Sequence, residues 1–99
     1  MRCDIDYKYS EGRILDELRV YIDNTYGEHY SQNKFQATEF IMDSGHGEGF
    51  CIGNIMKYAQ RYGKKEGRNR KDLLKVIHYS IMALHNHDEL YSSKPKTNI

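Results

Sequence analysis

Hydrophobic residues recur three and four positions apart in several separate stretches of the chain, with polar residues between them. This spacing is typical of amphipathic α-helices, because it places the apolar side chains on one side of each helix. The predicted helices span about 11–25, 31 or 33 to 43, 50–62 and 72–85. The pattern therefore predicts an all-α fold, a small bundle of about four helices within one domain over residues 1–99.

The last two predicted helices have the clearest apolar faces. In the first of them, the residues expected to point inward are Ile52, Ile55, Met56, Ala59 and Tyr62. In the second, they are Leu73, Ile77, Ser80, Ala83 and Leu84. A short glycine-containing connection joins the two helices, which predicts an antiparallel hairpin over 50–87. The polar tail, 88–99, has little to bury and is expected to fray.

Glycine residues predict where the helices end. Gly27 is expected to end the first helix and Gly63 the third, while residues 1–10 read as irregular. The segment SGHGEG, residues 44–49, has three glycines in six positions and is expected to form a loop. It lacks the lysine and hydroxyl that complete a phosphate-binding glycine loop, which favours a flexible lid over a phosphate cradle.

Size and composition narrow the class of protein. The chain has 99 residues and a mass of 11.7 kDa, and Cys3 and Cys51 are its two cysteines. This cysteine content suggests neither a disulfide framework nor a zinc site, and no signal segment is recognised, so we expect a cytoplasmic protein. No apolar run approaches the roughly 20 residues that span a bilayer, so no membrane partner is expected.

The net charge of +1 conceals an uneven distribution of charge along the chain. Residues 1–49 carry five lysines and arginines against ten aspartates and glutamates, whereas residues 50–99 carry ten against four. A local positive field therefore surrounds the second half. Because the whole chain is nearly neutral, we expect a compact anion in one pocket as its partner, and duplex nucleic acid is unlikely.

The polar faces of the predicted hairpin meet, which brings Lys57 and Arg61 near Asp72, Lys75 and Tyr79. Arginine binds phosphate oxygens as a bidentate hydrogen-bond donor, and lysine binds them as a point charge. The competing interpretation is structural: Lys57 or Arg61 pairs with Asp72 across the hairpin, and the tyrosines belong to the core.

The run FCIGNIMKYAQRYGKKEG, followed by DLLKVIHY, resembles the signature of a family of small phage domains of unknown function, some members of which are described as nucleotide kinases. The matching positions are Phe50, Gly53, Asn54, Lys57, Tyr58, Arg61, Gly63, Lys65, Asp72, Leu73, Lys75 and Tyr79. The resemblance covers residues 50 to about 85. It implies a phage source, the cytoplasm of an infected bacterial host and the handling of nucleotides, while residues 1–49 carry no motif.

Ten residues of this stretch form the predicted ligand-binding set. Asn54 can hydrogen-bond a base or ribose, Gly53 permits close approach of a ligand, and the aromatic residues can stack on a base. The complete set is Phe50, Gly53, Asn54, Lys57, Tyr58, Arg61, Lys65, Asp72, Lys75 and Tyr79. No catalytic residue, metal ligand or cofactor is assigned.

The histidines are candidates for metal ligands or general bases. Solvated or capping roles are favoured for His46, His85 and His87, because their positions give poor geometry for shared coordination. His78 is the one to follow, since it lies beside Tyr79 and one helical turn from Lys75.

Three hypotheses for function follow from the sequence. The first is a nucleotide-binding protein that sequesters a phosphate-bearing, linear or cyclic, nucleotide signal of host antiviral defence without turnover. The second is a nucleoside monophosphate kinase or another nucleotide-processing enzyme, which would require magnesium. The third is an inhibitor that acts on a host protein through its surface. Because the domain is small and contains nine tyrosines, a homo-oligomer is also expected.

Overall fold

The computed structural model describes residues 5–29, 33–64 and 67–91, and it is helical without strands over those ranges. The helices are α1 (Glu11–His29), α2 (Asn33–Ile41), α3 (Gly47–Arg61) and α4 (Arg70–Tyr91). The predicted all-α class is confirmed. The predicted count of four is not, because a π-helical turn, Met42–His46, joins α2 to α3, so that the helical residues of the described ranges form three continuous runs.

The predicted loop at 44–49 is wrong, and one glycine explains why. Gly45 leaves helical geometry within the π turn, with φ of 95°, a conformation that costs glycine little. His46 follows with a non-helical φ of −103° and ψ of 15°, and the helix resumes at Gly47. Glycine-rich composition therefore marks a kink between two helices here, and residues 47–49 belong to α3 instead of a lid.

The start of α3 packs closely against the far end of α4. A Cβ atom on Gly47 would lie 2.5 Å from Asn86 Oδ1 and 3.0 Å from Met42 Sδ, so only glycine fits. Nearby, the Tyr91 hydroxyl donates a hydrogen bond of 3.0 Å to Glu48 Oε1. Helix α4 extends through Tyr91 and so includes the first four residues, 88–91, of the tail that was expected to fray. The rest of the predicted tail, 92–99, lies outside the described residues.

Helix α1 continues past Gly27, its predicted end, to His29. An ion pair joins α1 to the start of α4: Arg70 donates to Glu17 through Nε at 2.9 Å and through Nη2 at 2.6 Å. This bidentate contact fixes where the first turn of α4 meets α1. A glycine within a helix costs only about 1 kcal/mol relative to alanine, which is small enough for α1 to continue through Gly27.

The core is small, and the predicted inward faces are only partly correct. Among the described residues, the buried apolar side chains are Leu18, Cys51 and Leu74. Five residues predicted to point inward are instead exposed: Ala59, Ile52 at 46%, Met56 at 64%, Leu73 at 43% and Leu84 at 64%. Helices α3 and α4 are rotated about their axes so that small and aromatic residues form the contact between them. The apolar residues on other faces of the two helices are left exposed.

None of the helices in the described ranges combines the length and the apolar character that crossing a membrane requires.

Candidate ligand-binding site

A cavity of about 330 Å³ lies between α1 and α4, with one wall supplied by α3. The residues around it combine tyrosines, lysines and short polar side chains. They are Tyr21, Thr25, Glu28, Thr38, Tyr58, Lys71, Lys75, His78, Tyr79 and Met82. The volume is at the small end of the range for small-molecule sites, roughly 300–1,000 Å³.

Two stacked tyrosines form the aromatic wall of this cavity. The rings of Tyr58 and Tyr79 are 9° from parallel, with centroids 6.0 Å apart. Phe50 packs its ring edge against Tyr79 at 5.9 Å and 76°. The structure thus brings together the three aromatic residues that the sequence analysis selected, across the contact between α3 and α4.

Three cations surround the ring of Tyr58. Lys57 Nζ lies 4.7 Å from the ring centroid, Arg61 Cζ 5.5 Å and Lys75 Nζ 5.5 Å. Among the described residues, none of the three makes an ion pair with a carboxylate. The competing interpretation, in which Asp72 neutralises Lys57 or Arg61 across the hairpin, is therefore wrong.

The cations divide into an inner and an outer group. Lys71 and Lys75 line the cavity, whereas Lys57, Arg61 and Lys64, with Gln60, line an open groove of about 540 Å³. Tyr58 is adjacent to both groups, since its ring contacts cations of each. An anion bound near this ring can therefore reach lysines inside the cavity or the basic groove outside it.

Tyr21 and His78 belong to the site, although the sequence analysis did not include them in the binding set. Lys75 Nζ donates to the Tyr21 hydroxyl at 3.3 Å, and the ring of Tyr21 meets that of His78 edge-on at 6.2 Å. Tyr21 lies in α1, more than 50 residues from its neighbours in α4, so helical spacing could not have found it. The sequence did indicate that Tyr21 shares a face of α1 with Leu18, but not which residues of α4 that face would meet.

Burial sets the ionisation of two groups at the cavity. Burial, and then the nearby positive charge of Lys75, lowers the pKa of His78 below its usual value, which keeps the imidazole neutral. Burial raises the pKa of Tyr79, and the neighbouring Tyr58, Tyr21 and Cys51 raise it further. Tyr79 is therefore a neutral phenol, and the charged groups near the Tyr58 ring are Lys57, Arg61 and Lys75.

Among the described residues of the predicted set, Phe50, Gly53, Asn54 and Asp72 line neither the cavity nor the groove. The side-chain amide of Asn54 donates to the Phe50 carbonyl at 2.8 Å, a bond within α3. Gly53 has no atom within 4 Å of where its Cβ would be, so it mediates no close contact within the chain. Asp72 is buried in the first turn of α4. Lys65 lies outside the described residues.

Within the described ranges, no three histidine, cysteine, aspartate or glutamate side chains lie together as a metal site would require. Cys51 is fully buried, and burial raises the pKa of its thiol. Such a thiol behaves as a small apolar side chain.

The fold and site define a small all-helical protein whose aromatic cavity is surrounded by cations. Residues 24–80 match the model of a family described as a protein of unknown function, DUF3310, and the chain belongs to this family. The match begins well before Phe50, so it includes part of α1 and all of α2. No curated protein and no solved structure matches the chain.

Proposed function

We propose that this protein binds a phosphate-bearing nucleotide at the cavity between α1 and α4 and retains it without turnover. One observation carries the proposal: the stacked pair of Tyr58 and Tyr79 adjoins three cations that make no ion pair with a carboxylate of the described residues. Stacking of a base on an aromatic side chain contributes about 1–3 kcal/mol, and the cations supply attraction for phosphate.

The arrangement suggests how such a ligand lies. The base packs against the aromatic wall, where the neutral His78 and the hydroxyl of Tyr21 offer hydrogen bonds. The phosphate then points toward Lys75 and Lys71, which line the same cavity. A cavity of about 330 Å³ favours a single small nucleotide over a polymer.

The balance of charge at the cavity favours retention over phosphoryl transfer. Phosphoryl transfer depends on magnesium held by carboxylate or similar oxygen ligands close to the phosphates. The described lining residues include one carboxylate, Glu28, beside two lysines. This set resembles a cationic clamp for an anion more than a magnesium site.

The biological role that we propose is sequestration of a linear or cyclic nucleotide signal used in host antiviral defence. It rests on the resemblance of residues 50 to about 85 to small phage domains, which suggests action in the cytoplasm of an infected bacterium. A homo-oligomer is part of this proposal.

A binding and release experiment tests the proposal. The purified protein is titrated with mononucleotides, dinucleotides and cyclic nucleotides by calorimetry, then denatured, and the released compound is identified by mass spectrometry. Recovery of the unchanged nucleotide supports sequestration. Recovery of a converted nucleotide supports the kinase or nucleotide-processing alternative. Absence of binding to every nucleotide class contradicts both and favours an inhibitor of a host protein.

A further inference from the structure

Lys75 is half-buried at the cavity, and its nearest partners are tyrosines. Among the described residues, it makes no ion pair with a carboxylate, and the hydroxyl oxygen of Tyr21 is its hydrogen-bond acceptor, 3.3 Å from Nζ. The same nitrogen lies 6.0 Å from the centroid of the Tyr21 ring and 5.5 Å from that of Tyr58. Tyrosines of α1 and α3 therefore surround an ammonium group that belongs to α4.

The kind of partner decides whether the charge of Lys75 stays available to a ligand. A carboxylate bound to the ammonium would orient it but would also neutralise it. A phenol oxygen and the faces of aromatic rings attract a cation without carrying a net charge. Lys75 is thus oriented with its positive charge intact, as a group that binds an anion requires.

The bond to Tyr21 also leaves hydrogen-bond donors for a ligand. A lysine ammonium carries three N–H donors, and this bond uses one of them. It restricts rotation of the ammonium and so limits the directions in which the other two N–H groups can point. Because Lys75 lines the cavity, these two donors can serve a phosphate bound there.

Tyr21 is held near Lys75 by contacts that do not involve Lys75 itself. One helical turn earlier in α1, Glu17 accepts two hydrogen bonds from Arg70 in the first turn of α4. The ring of Tyr21 meets His78, also of α4, edge-on at 6.2 Å. The position of the Tyr21 hydroxyl is therefore set by the packing of α1 on α4.

We propose that Tyr21 is a positioning residue for phosphate binding, because it holds the Lys75 ammonium beside Tyr58, where a nucleotide stacks. This inference rests on the proposed nucleotide-binding function and gives α1 a part in it. Without the hydroxyl, the Lys75 side chain gains freedom that ligand binding must then remove, and affinity falls. The charge remains, so the loss is smaller than the loss caused by removing Lys75.

NMR of the lysine ammonium groups tests the positioning without a ligand. Tyr21→Phe keeps the ring and removes the hydroxyl. In this variant, the Lys75 Nζ signal, assigned by its disappearance in Lys75→Met, is expected to show a lower order parameter and faster proton exchange. Tyr26→Phe is the matched control, since Tyr26 also belongs to α1 but lines neither the cavity nor the groove. An unchanged Lys75 signal in Tyr21→Phe overturns the proposal.

Titration with the 5′-monophosphates of adenosine, guanosine, cytidine and uridine tests the effect on binding. Tyr21→Phe is expected to weaken the tightest of the four about fivefold, a loss typical of one hydrogen bond, whereas Tyr26→Phe should bind normally. The corresponding nucleoside should lose less affinity, because it has no phosphate for Lys75 to bind. In Lys75→Met protein, adding Tyr21→Phe should change affinity less than about twofold, since no ammonium remains to be positioned.

Three results of these titrations contradict the positioning role while leaving nucleotide binding intact. Equal losses for nucleotide and nucleoside would show that the hydroxyl serves the base alone. Additive losses in the double variant would show that Tyr21 acts independently of Lys75, and full affinity in Tyr21→Phe would show that it does not act at all. If the unaltered protein binds none of the four nucleotides, the proposed function and this inference fail together, before any substitution is made. Circular dichroism checks that each variant keeps its helices.

Discussion

Tyr58 of α3 and Tyr79 of α4 stack across the hairpin with their rings 9° from parallel and their centroids 6.0 Å apart. The same pair joins the two helices and forms the aromatic wall of the cavity. Structural and ligand-binding roles are therefore combined in two side chains, and substitutions must separate them.

Tyr58→Leu is expected to lower both stability and nucleotide affinity. It removes the stack, which contributes about 0.5–1.5 kcal/mol beyond buried area, and it removes a base-stacking surface of about 1–3 kcal/mol. Tyr58→Phe retains the ring and should retain most of both. Thermal unfolding and calorimetric titration measure the two effects. Full nucleotide affinity in a folded Tyr58→Leu protein would show that the base does not stack there.

Lys75→Met is expected to weaken nucleotide binding about tenfold, equivalent to about 1.4 kcal/mol. Lys75 lines the cavity and lies 5.5 Å from the Tyr58 centroid, so its charge can reach a bound phosphate. Lys64→Met removes the same charge from the outer groove and should have a smaller effect. Calorimetry in the same buffer compares the two, and a larger loss in Lys64→Met would place the phosphate in the groove.

Gly47→Ala and Gly53→Ala are expected to have opposite effects on stability. The new Cβ at residue 47 meets Asn86 at 2.5 Å, an overpacking that costs about 1–3 kcal/mol. At residue 53 the new Cβ meets nothing within 4 Å, and alanine stabilises a helix interior by about 0.5–1 kcal/mol. Chemical denaturation measures both. Weaker nucleotide binding in a stable Gly53→Ala protein would restore Gly53 to the predicted binding set.

The sequence predicted the hairpin well because a hairpin is specified by residue spacing within each helix and by the short connection between them. Helical spacing placed Lys57, Tyr58 and Arg61 on one helix and Lys75 and Tyr79 on the next, and a short connection required the helices to pack side by side. These five residues do meet around the ring of Tyr58.

Other features depended on information that spacing does not contain. Helix α3 turns Gly47 toward Asn86 of α4, and Met56, which was predicted to face inward, is exposed. The contribution of Tyr21 depends on how α1 packs, which no local pattern specifies. The loop predicted at residues 44–49 was based on their glycine content, but among them only Gly45 adopts a positive φ.

His78 is expected to titrate below its usual pKa of 6.5, because burial and then Lys75 disfavour the imidazolium. As the pH falls below 6.5, the unfolded chain binds this proton before the folded chain does, so stability declines until the folded pKa is reached. NMR titration of the ring protons measures the pKa. In Lys75→Met it should rise but stay below 6.5, since burial is the larger cause.

The matching stability measurement uses His78→Gln, which removes the titrating group. Its unfolding free energy should decline less than that of the unaltered protein as the pH falls from 6.5. A titration midpoint at or above 6.5 would show that the imidazole is solvated or paired with an acid.

Asp72 distinguishes a structural carboxylate from a catalytic one. It is buried, at 5% exposure, in the first turn of α4, where the partial positive charge of the helix N-terminus stabilises an anion. Among the described residues, it makes no ion pair with Lys57 or Arg61. Its position therefore accounts for its charge without a ligand, a metal ion or a reaction.

Asp72→Asn is accordingly expected to lower the unfolding free energy by about 0.3–1 kcal/mol while leaving nucleotide affinity nearly unchanged, with or without magnesium. Asp88→Asn is the control, since Asp88 lies in the last turn of α4, where loss of a negative charge should maintain or raise stability. If Asp72 instead holds magnesium or accepts a proton during phosphoryl transfer, the same substitution should spare binding and reduce turnover by orders of magnitude. Chemical denaturation, calorimetry and a turnover assay separate these results. Magnesium-dependent turnover that disappears in a folded, nucleotide-binding Asp72→Asn protein would establish catalysis in place of retention.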